Sequence, residues 1–241
     1  IAEKGYVSFE LSTEIEGGHS SIPESENSIG ELTKAINALM ANPFPYEISP
    51  PVQGFIDYMG PELPFDMKIA FTNTWLFKPL IFGAYAKTGS GRALIQTTVV
   101  PTIFKAGFKD NVVPVSAKAV VNCRILPGHS IESTLQYLSD VINNDKIKIN
   151  PQETQVNPSR STDYKTLEFR TIASAVKTVY PQSYSSPFLM LGATDSRHFE
   201  PVCKNIFKFA PFVYESGDLA RLHGLNERIH IDNFKKGIQI Y

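Results

Sequence analysis

Two long segments of this chain alternate between apolar and polar residues, and this pattern restricts the fold more than any other feature. In the first, Tyr6 to Glu16, the apolar residues Val7, Phe9 and Leu11 stand between serine and glutamate residues. In the second, Val112 to Leu126, apolar residues again occupy alternate positions. Successive side chains of a strand point to opposite faces, so each segment predicts a strand with one buried and one polar face. Such strands are typical of an antiparallel sheet that is covered on one side only.

Helical patterns follow both of these segments. Ser28 and Glu31 have the spacing of a capping box, and apolar residues at helical spacing accompany them. Ser130 can cap a second amphipathic helix that begins at Ile131. The apolar face predicted for the first helix consists of Ile29, Leu32, Ala35, Ile36 and Leu39.

The order of these elements predicts the fold class, α+β. Further strands are expected near 93–104 and 146–155, and residues 43–92 form an insertion that is first proline-rich and then aromatic and helical. The order strand, helix, insertion, strand, strand, helix, strand is typical of the split ferredoxin-like fold, in which two helices cover one face of an antiparallel sheet. We therefore expect residues 5–156 to form one domain of this kind.

The C-terminal residues, 157–241, have a different pattern. A linker at 157–162 precedes an amphipathic helix, and short apolar strands are expected at 188–191 and 205–210. Asp232 can cap a final helix. Helices that alternate with short, fully apolar strands indicate a piece of an α/β sheet.

The composition argues against several classes of protein. With 23 basic and 24 acidic residues, the chain has no electrostatic reason to bind nucleic acid or an anionic membrane. The most apolar stretch, Trp75 to Ala86, is too short to span a bilayer and predicts a buried or interface helix. Cys123 and Cys203 stand far apart in apolar runs, which predicts buried free thiols rather than a disulfide or a metal motif.

Three polar residues of the first domain are candidate site residues, and each also has a simpler explanation. His19 follows two glycines at a strand end, where its imidazole can donate to a developing oxyanion or merely stand in an exposed turn. Arg124 lies on the polar face of its strand and suits a carboxylate, but a solvated arginine is the commoner outcome. Asn111 stands in a turn, a position that asparagine favours for conformational reasons alone.

Two segments near the C-terminus are further candidates. Thr194 and Asp195 open a helix after a buried strand, a helix N-terminus that can receive an anion, and Arg197 follows one turn in. Capping by either residue explains part of this pattern without any ligand. His223 is a candidate metal ligand, yet one imidazole cannot hold a catalytic metal, and the sequence contains no HExxH or paired-glutamate motif to complete the site.

Seven short motifs occur in a fixed order along the chain. They are Ala2-Glu3-Lys4-Gly5, Gly17-Gly18-His19-Ser20-Ser21, Pro101-Thr102-Ile103-Phe104, Asn111-Val112-Val113-Pro114, Asn122-Cys123-Arg124-Ile125-Leu126-Pro127-Gly128, Thr194-Asp195-Ser196-Arg197 and Leu222-His223-Gly224. In this order, and over nearly the whole chain, they resemble the carboxypeptidase S branch of the zinc exopeptidase family. That family also contains aminoacylase and succinyl-diaminopimelate desuccinylase.

The resemblance implies an organisation and a role for each candidate. In this family a two-zinc catalytic domain is interrupted by a ferredoxin-like lid, or dimerisation, domain. Residues 5–156 would be the lid, and 157–241 the C-terminal part of the catalytic domain. His223 would be a metal ligand, and His19 would reach the active site of a neighbouring subunit to polarise the scissile carbonyl. The residues implied to hold the substrate, the arginines through its free carboxylate, are Asn111, Arg124, Thr194 and Arg197.

The resemblance also places part of the active site outside this chain. The family's HxD motif, bridging aspartate and Glu-Glu pair precede the lid, and no such motif stands before residue 5 in this sequence. We expect the parent protein to be a homodimer with two zinc ions that hydrolyses an amide bond of N-acyl amino acids or small peptides. The chain alone should bind zinc weakly and lack activity. The alternative is a non-catalytic ferredoxin-like module that dimerises or binds an amino acid, although such a module does not need the His223 segment.

Overall fold

An antiparallel sheet of four strands forms the centre of the structure, a computed structural model that describes residues 1–215, 217–218, 221–222 and 224–241. In chain order the strands are β1 Ala2–Glu3, β2 Gly5–Glu14, β3 Gly18–His19, β4 Thr98–Ala106, β5 Val112–Val113, β6 Ser116–Ile125, β7 Lys148–Val156 and β8 Leu189–Met190. Strands β4, β6, β2 and β7 lie side by side in that order, each antiparallel to its neighbour. Strand β6 therefore lies between β2 and β4, as the split ferredoxin-like arrangement requires, and the predicted fold class is confirmed.

Two of the helices cover one face of this sheet. In chain order the helices are α1 Ser28–Ala41, α2 Pro50–Met59, α3 Phe65–Thr72, α4 Thr74–Ala86, α5 Gly89–Ile95, α6 Ile131–Ile142, α7 Leu167–Val179 and α8 Ile231–Ile240. Helices α1 and α6 pack against the sheet and against each other, and single turns of 3-10 helix lie at Gly60–Glu62 and Asp195–Phe199. The other helices lie in the insertion and in the C-terminal part of the chain.

The main apolar core lies between the sheet and these two helices. Every second residue of β2 and β6 is buried, because β2 pairs with β6 without interruption from Gly5–Ile125 to Glu14–Ser116. The intervening residues of β2 and β6 point to the opposite face and are mostly polar, Val120 being an apolar exception. The buried residues of this core include Val7, Phe9, Leu11, Leu32, Ala35, Leu39, Ala119, Val121, Cys123, Ile125 and Leu138.

The caps of three helices test the predicted start signals. Helix α1 is capped by Asn27, whose side chain accepts a hydrogen bond from the N–H of Gly30 at 2.8 Å. The predicted capping box at Ser28 is therefore wrong, and the Ser28 hydroxyl instead donates to the carbonyl of Pro114. Ser130 caps α6 as predicted. Helix α8 is capped by His230 rather than by Asp232, because the His230 imidazole accepts from the Asp232 N–H.

The predicted helical part of the insertion consists of several short helices. Helix α3 ends at Asn73, whose side-chain amide donates to the carbonyl of Ile69, and α4 begins at the next residue. Thr88 caps α5 through the N–H of Gly91, so residues predicted to begin a strand at 93 are still helical. Strand β4 consequently begins at Thr98.

Helix α4 corresponds to the most apolar stretch of the sequence. Ile81 is buried in a second apolar core that joins the insertion to Ala2 and Leu189, whereas Trp75 is 81 % exposed on the outer side. The helix is thus buried on one side only. No helix within the described ranges is both long and apolar enough to cross a membrane.

The C-terminal part of the chain returns to the first strand. Strand β1 pairs in parallel with β8, Ala2 opposite Leu189, while residues 205–210 form no strand. The backbone of Ile206 is instead bonded to the side chain of Thr162, which donates to its carbonyl and accepts from its N–H. Cys123 is buried as predicted. Cys203 is exposed, so that prediction is wrong, because its segment does not enter a sheet.

Candidate functional site

Residues 3–5, where β1 ends and β2 begins, lie against residues 156–159, at the end of β7. We call this contact the joint. The N–H of Glu3 donates to the Ser159 hydroxyl at 2.7 Å, and the N–H of Ser159 donates to the Glu3 carbonyl at 3.2 Å. A Cβ at Gly5 would lie 2.7 Å from the Pro158 side chain and 2.9 Å from the Val156 carbonyl. Only glycine allows the two segments to approach this closely.

A cavity of about 380 Å³ opens beside the joint. It lies between the beginning of β2, the end of β7 and the 3-10 turn Asp195–Phe199. Clefts of this size suit a small-molecule ligand. We call it the junction cavity, and its lining includes Glu3, Lys4, Tyr6, Asn157, Arg197 and His198.

The carboxylate of Glu3 occupies the start of the 3-10 turn. It accepts hydrogen bonds from the N–H of Thr194 at 3.3 Å, from the Thr194 hydroxyl and from the Ser196 hydroxyl at 3.0 Å. The sequence predicts an N-terminus that receives an external anion, but here an internal carboxylate already binds it. The hydroxyl of Thr194 also caps the turn by accepting from the N–H of Ser196. A direct contact between Thr194 and substrate stays a prediction.

Lys4 is a buried cation that sequence reasoning did not identify as a site residue. Its ammonium group donates to the carbonyls of Ala93 and Gln96 at 2.8 and 2.7 Å, so it ties the joint to the end of α5. Burial and, secondly, the positive charge of Arg124 lower the pKa of Lys4 from 10.5 to about 7. The only sequence signal for this role is its position between Glu3 and the glycine that the joint requires.

Arg124 lies next to the junction cavity on the polar face of the sheet. It stands opposite Tyr6 in the pairing of β2 with β6, and its guanidinium carbon lies 4.7 Å from the centre of the Tyr6 ring. At this distance the cation interacts favourably with the aromatic face. Of the ion pairs formed by the described residues, none includes Arg124. Its charge is therefore available to a ligand.

Arg197 reaches the junction cavity from the C-terminal part of the chain. Its side chain is exposed and donates to the imidazole of His198 at 3.4 Å. Within the described part of the chain it has no acidic partner, whereas the nearby Arg160 is paired with Glu200. Arg197 thus lines the cavity, Arg124 contacts its lining residue Tyr6, and neither arginine has a carboxylate partner among the described residues.

His19 and Asn111 lie together beyond the other end of β2 from the junction cavity. Strand β3 pairs with β5, His19 opposite Val112, and the N–H of Ser20 donates to the carbonyl of Asn111 at 3.3 Å. Gly17 allows this ribbon to form, because a Cβ there would lie 2.4 Å from the Val113 carbonyl. The ribbon holds both candidate side chains on the surface, where they are exposed.

The ring of His19 is oriented by the residue two places further on. Its Nδ1 accepts a hydrogen bond from the N–H of Ser21 at 3.2 Å and lies 2.7 Å from the Ser21 hydroxyl. Because Nδ1 is an acceptor, the proton of the neutral ring is on Nε2, which points away from this contact. The loop therefore presents an N–H donor, the group that stabilisation of an oxyanion needs.

The two groups of candidates do not lie together in one subunit. Strand β2 covers roughly 26 Å from Tyr6 to Glu14 at about 3.3 Å per residue, and His19 lies beyond its far end in β3. The amide bond and the carboxylate of an N-acyl amino acid are separated by only two bonds. One substrate therefore cannot contact His19 and the junction cavity of the same chain.

The described residues do not fit a complete metal site. The predicted ligand His223 lies outside the described residues. Within the ranges that the structure describes, no three His, Cys, Asp or Glu side chains lie close enough to hold a metal ion. A catalytic zinc site takes three protein ligands, so the described residues by themselves do not form one.

Comparison with known proteins decides the family. The model of the peptidase dimerisation domain of the M20 family matches residues 1–150. The chain belongs to the M20 peptidase family. This agrees with the ferredoxin-like sheet and with the ordered motifs of the sequence.

Curated relatives of this M20 chain are hydrolases. A probable carboxypeptidase S-like protein of Dictyostelium discoideum is 36 % identical over 241 residues, which are all of this chain and 46 % of that protein. The N-fatty-acyl-amino acid synthase/hydrolase PM20D1 of Homo sapiens is 32 % identical over 99 % of the chain and 48 % of its own length. Carboxypeptidase S of Saccharomyces cerevisiae is 26 % identical. The chain spans about half the length of the curated relatives it matches.

Solved structures share the fold of this M20 chain. The M20 family metallo-carboxypeptidase Sso-CP2 from Sulfolobus solfataricus matches with a TM-score of 0.61 at 20 % identity, over all of this chain and 57 % of that one. Aminopeptidase PepT from Bacillus cereus matches with a TM-score of 0.59 at 13 % identity, over 51 % of its chain. At such identities these matches establish the fold alone.

Proposed function

We propose that this chain forms the lid and the carboxylate-binding part of an M20 hydrolase that cleaves an amide bond of N-acyl amino acids or small peptides. The observation that carries the proposal is the junction cavity, which Arg197 lines and whose lining residue Tyr6 contacts Arg124 from another part of the chain. Such arginines suit the bidentate capture of a substrate carboxylate. The names of the curated relatives, carboxypeptidase S and N-fatty-acyl-amino acid hydrolase, describe substrates of this kind.

The position of the cavity supports a role in orienting the substrate. Arg124 belongs to the lid and Arg197 to the C-terminal part of the chain, and both lie near the joint. A carboxylate bound between them fixes the substrate relative to both parts, which places the neighbouring amide bond at a defined distance. Asn157, in the cavity wall, adds a side-chain amide to this polar lining.

We further propose that His19 acts in the active site of a partner subunit. The length of β2, which separates His19 from the junction cavity, supports this, because an in-trans role removes the need for both to contact one substrate in one chain. The Nε2–H that Ser21 orients would donate to the oxygen of the scissile carbonyl as negative charge develops there. Asn111, on the adjacent strand of the ribbon, would enter the same partner site.

The resemblance implies two zinc ions in the whole protein, with His223 as a ligand from this chain. A zinc ion in such a site activates a water molecule and polarises the scissile carbonyl. The described residues do not assemble this site. The roles that we propose for them are binding of the substrate carboxylate and donation of a hydrogen bond from His19 to the scissile carbonyl.

The proposal is tested with the full-length protein and pairs of N-acyl amino acids that differ only in a free or an amidated carboxylate. We expect hydrolysis of the free acids, and Arg197→Ala should raise their KM by roughly tenfold to a hundredfold, because a charge-assisted contact is lost. Arg160→Ala is the matched control, since this nearby arginine is already paired with Glu200. Equal hydrolysis of free and amidated substrates would overturn carboxylate recognition. Binding of the free acids without any hydrolysis would favour a non-catalytic module.

A further inference from the structure

We propose that Tyr6 is the positioning residue of the carboxylate site, through its contact with Arg124. This inference rests on the proposed function and adds to it a residue that no motif of the sequence identifies. Tyr6 is the one aromatic residue among those that line the described junction cavity, and it is also the residue on which the Arg124 guanidinium rests. It therefore links the cavity wall to the lid arginine.

The geometry of the sheet determines this contact. Tyr6 and Arg124 are directly opposite residues of β2 and β6, so both side chains leave the same face of the sheet at neighbouring positions. The guanidinium carbon lies 4.7 Å from the ring centre, a stacking distance. On its other side Tyr6 is opposite Val156, which also lines the cavity. The ring is thus held between an arginine and the end of β7.

Arg124 needs such support, because Lys4 has a charge of the same sign and no ion pair of the described residues includes Arg124. The ammonium group of Lys4, which is only 3 % exposed, is close enough for Arg124 to act on it electrostatically. With no acidic side chain of the described residues paired to it, the guanidinium is held by the ring of Tyr6. Aromatic stacking fixes the plane of the group without neutralising its charge, so the charge stays available to a substrate carboxylate.

Because the ring of Tyr6 contacts Arg124, removal of the ring and removal of the hydroxyl should change KM to different extents. The hydroxyl only accepts a long hydrogen bond from Ser8 at 3.5 Å, so it contributes little. Tyr6→Phe keeps the aromatic face and should preserve the wild-type KM for free acids. Tyr6→Leu removes the face, leaves Arg124 unsupported, and should raise KM roughly threefold to thirtyfold with little change in kcat.

The experiment measures kcat and KM of full-length Tyr6→Leu, Tyr6→Phe, Arg124→Ala and the double variant Tyr6→Leu/Arg124→Ala on a free-acid substrate. We expect Tyr6→Leu to have no further effect on KM once Arg124 is absent. Tyr184→Leu is the matched control, because Tyr184 contacts Lys177 by the same kind of interaction away from the cavity.

The outcomes separate this inference from the proposed function. If Arg124→Ala raises KM but Tyr6→Leu does not, the proposed function stands and the role of Tyr6 is overturned. If Tyr6→Leu raises KM to the same extent with and without Arg124, the ring acts on packing alone and the inference is again overturned. If the wild-type protein does not distinguish free from amidated substrates, the proposed function itself fails. A rise in KM for Tyr6→Leu, rescue by Tyr6→Phe and no additional effect in the double variant would support the inference.

Discussion

The carboxylate of Glu3 lies 3.0 Å from the hydroxyl of Ser196, although 193 residues separate them in the sequence. This contact, with those to Thr194, closes the β1–β8 pair and orders the turn that carries Arg197. The side chain is almost fully buried, so its hydrogen bonds are protected from competing water. The relationship connects the stability of the joint with the geometry of the candidate site.

Replacement of Glu3 by glutamine should destabilise the joint and disturb the geometry of the candidate site. The amide of Glu3→Gln has one acceptor oxygen where the carboxylate has two, and its NH2 group faces donors that need an acceptor. We expect a loss of about 1–3 kcal/mol in the free energy of unfolding, measured by urea denaturation, together with a higher KM for free-acid substrates. Glu10→Gln, which alters only an exposed pair with Lys118, should change stability by less than about 1 kcal/mol. Equal effects of the two variants would contradict the role of Glu3.

Lys4 should make stability depend on pH in the alkaline range. Its pKa is lowered from 10.5 in the unfolded chain to about 7 in the folded one. Between these values the unfolded chain binds more protons, so stability should rise as pH increases from about 7 towards 10.5. Below pH 7 both states carry the charge, and this contribution to the slope disappears.

The measurement is the difference in unfolding free energy between wild type and Lys4→Met at several pH values. Subtraction removes the contributions of other titrating groups. The difference should shift in favour of the wild type as pH rises above 7. A constant difference would show that the pKa of Lys4 is not lowered.

In the full-length enzyme, His19→Ala should lower turnover far more than substrate affinity. Loss of one oxyanion donor corresponds to a decrease of about a hundredfold or more in kcat. The fold should be unchanged because His19 is exposed and does not pack in a core. Ser21→Ala should cause a smaller decrease in kcat, since it leaves the imidazole but removes the hydroxyl that lies 2.7 Å from Nδ1.

A mixing experiment tests whether His19 acts across subunits. Subunits with His19→Ala are combined with subunits whose Arg197 is replaced by alanine, each inactive or strongly impaired alone. Hybrid dimers should contain one site with both an intact His19 and an intact Arg197, and activity should partly return. No recovery in confirmed hybrids would return His19 to the role of an exposed turn residue.

The lid should form a two-fold dimer through β4 and α1. Of the two edges of the sheet, β7 carries exposed polar residues, whereas β4 exposes Val100, Ile103 and Phe104. An unpaired apolar edge favours pairing with a second copy, and α1 lies next to this edge. The variant Val100→Asp/Ile103→Asp should sediment as a monomer, whereas Gln152→Asp/Thr154→Asp on β7 should remain a dimer. A wild-type protein that is monomeric at every concentration would exclude this interface.

The lid could be predicted from the sequence because local pattern and tertiary contact agree there. The alternate apolar residues of β2 and β6, for example, are buried in the core, among them Val7, Phe9, Val121 and Cys123. The strand expected at 205–210 fails because a strand needs a neighbour, and side-chain bonds from Thr162 satisfy this backbone instead. Pattern alone cannot reveal which partner a segment finds.

The candidate site could be predicted only in part, because a local pattern does not reveal contacts between residues that are far apart in the sequence. Arg124 and Arg197 could be proposed from residue type and position, and the structure places both near one cavity. Glu3, Lys4 and Tyr6 carry no signal of chemistry in the sequence, since their roles arise from residues far away along the chain. The clearest hint is Gly5, because a glycine that starts a long strand indicates a close approach of another backbone.

The joint has a consequence for how such proteins can be rebuilt. Since Glu3 and Ser159 are hydrogen-bonded to each other, the segment between them begins and ends at one place beside the β1–β8 pair. A segment attached in this way can be exchanged for the corresponding segment of another protein without changing the distance that the rest of the chain must bridge. Chimaeras with grafts at these two residues should therefore keep the host's chain connection, and the donor segment must also supply the apolar side chains that pack against Ala2 and Leu189.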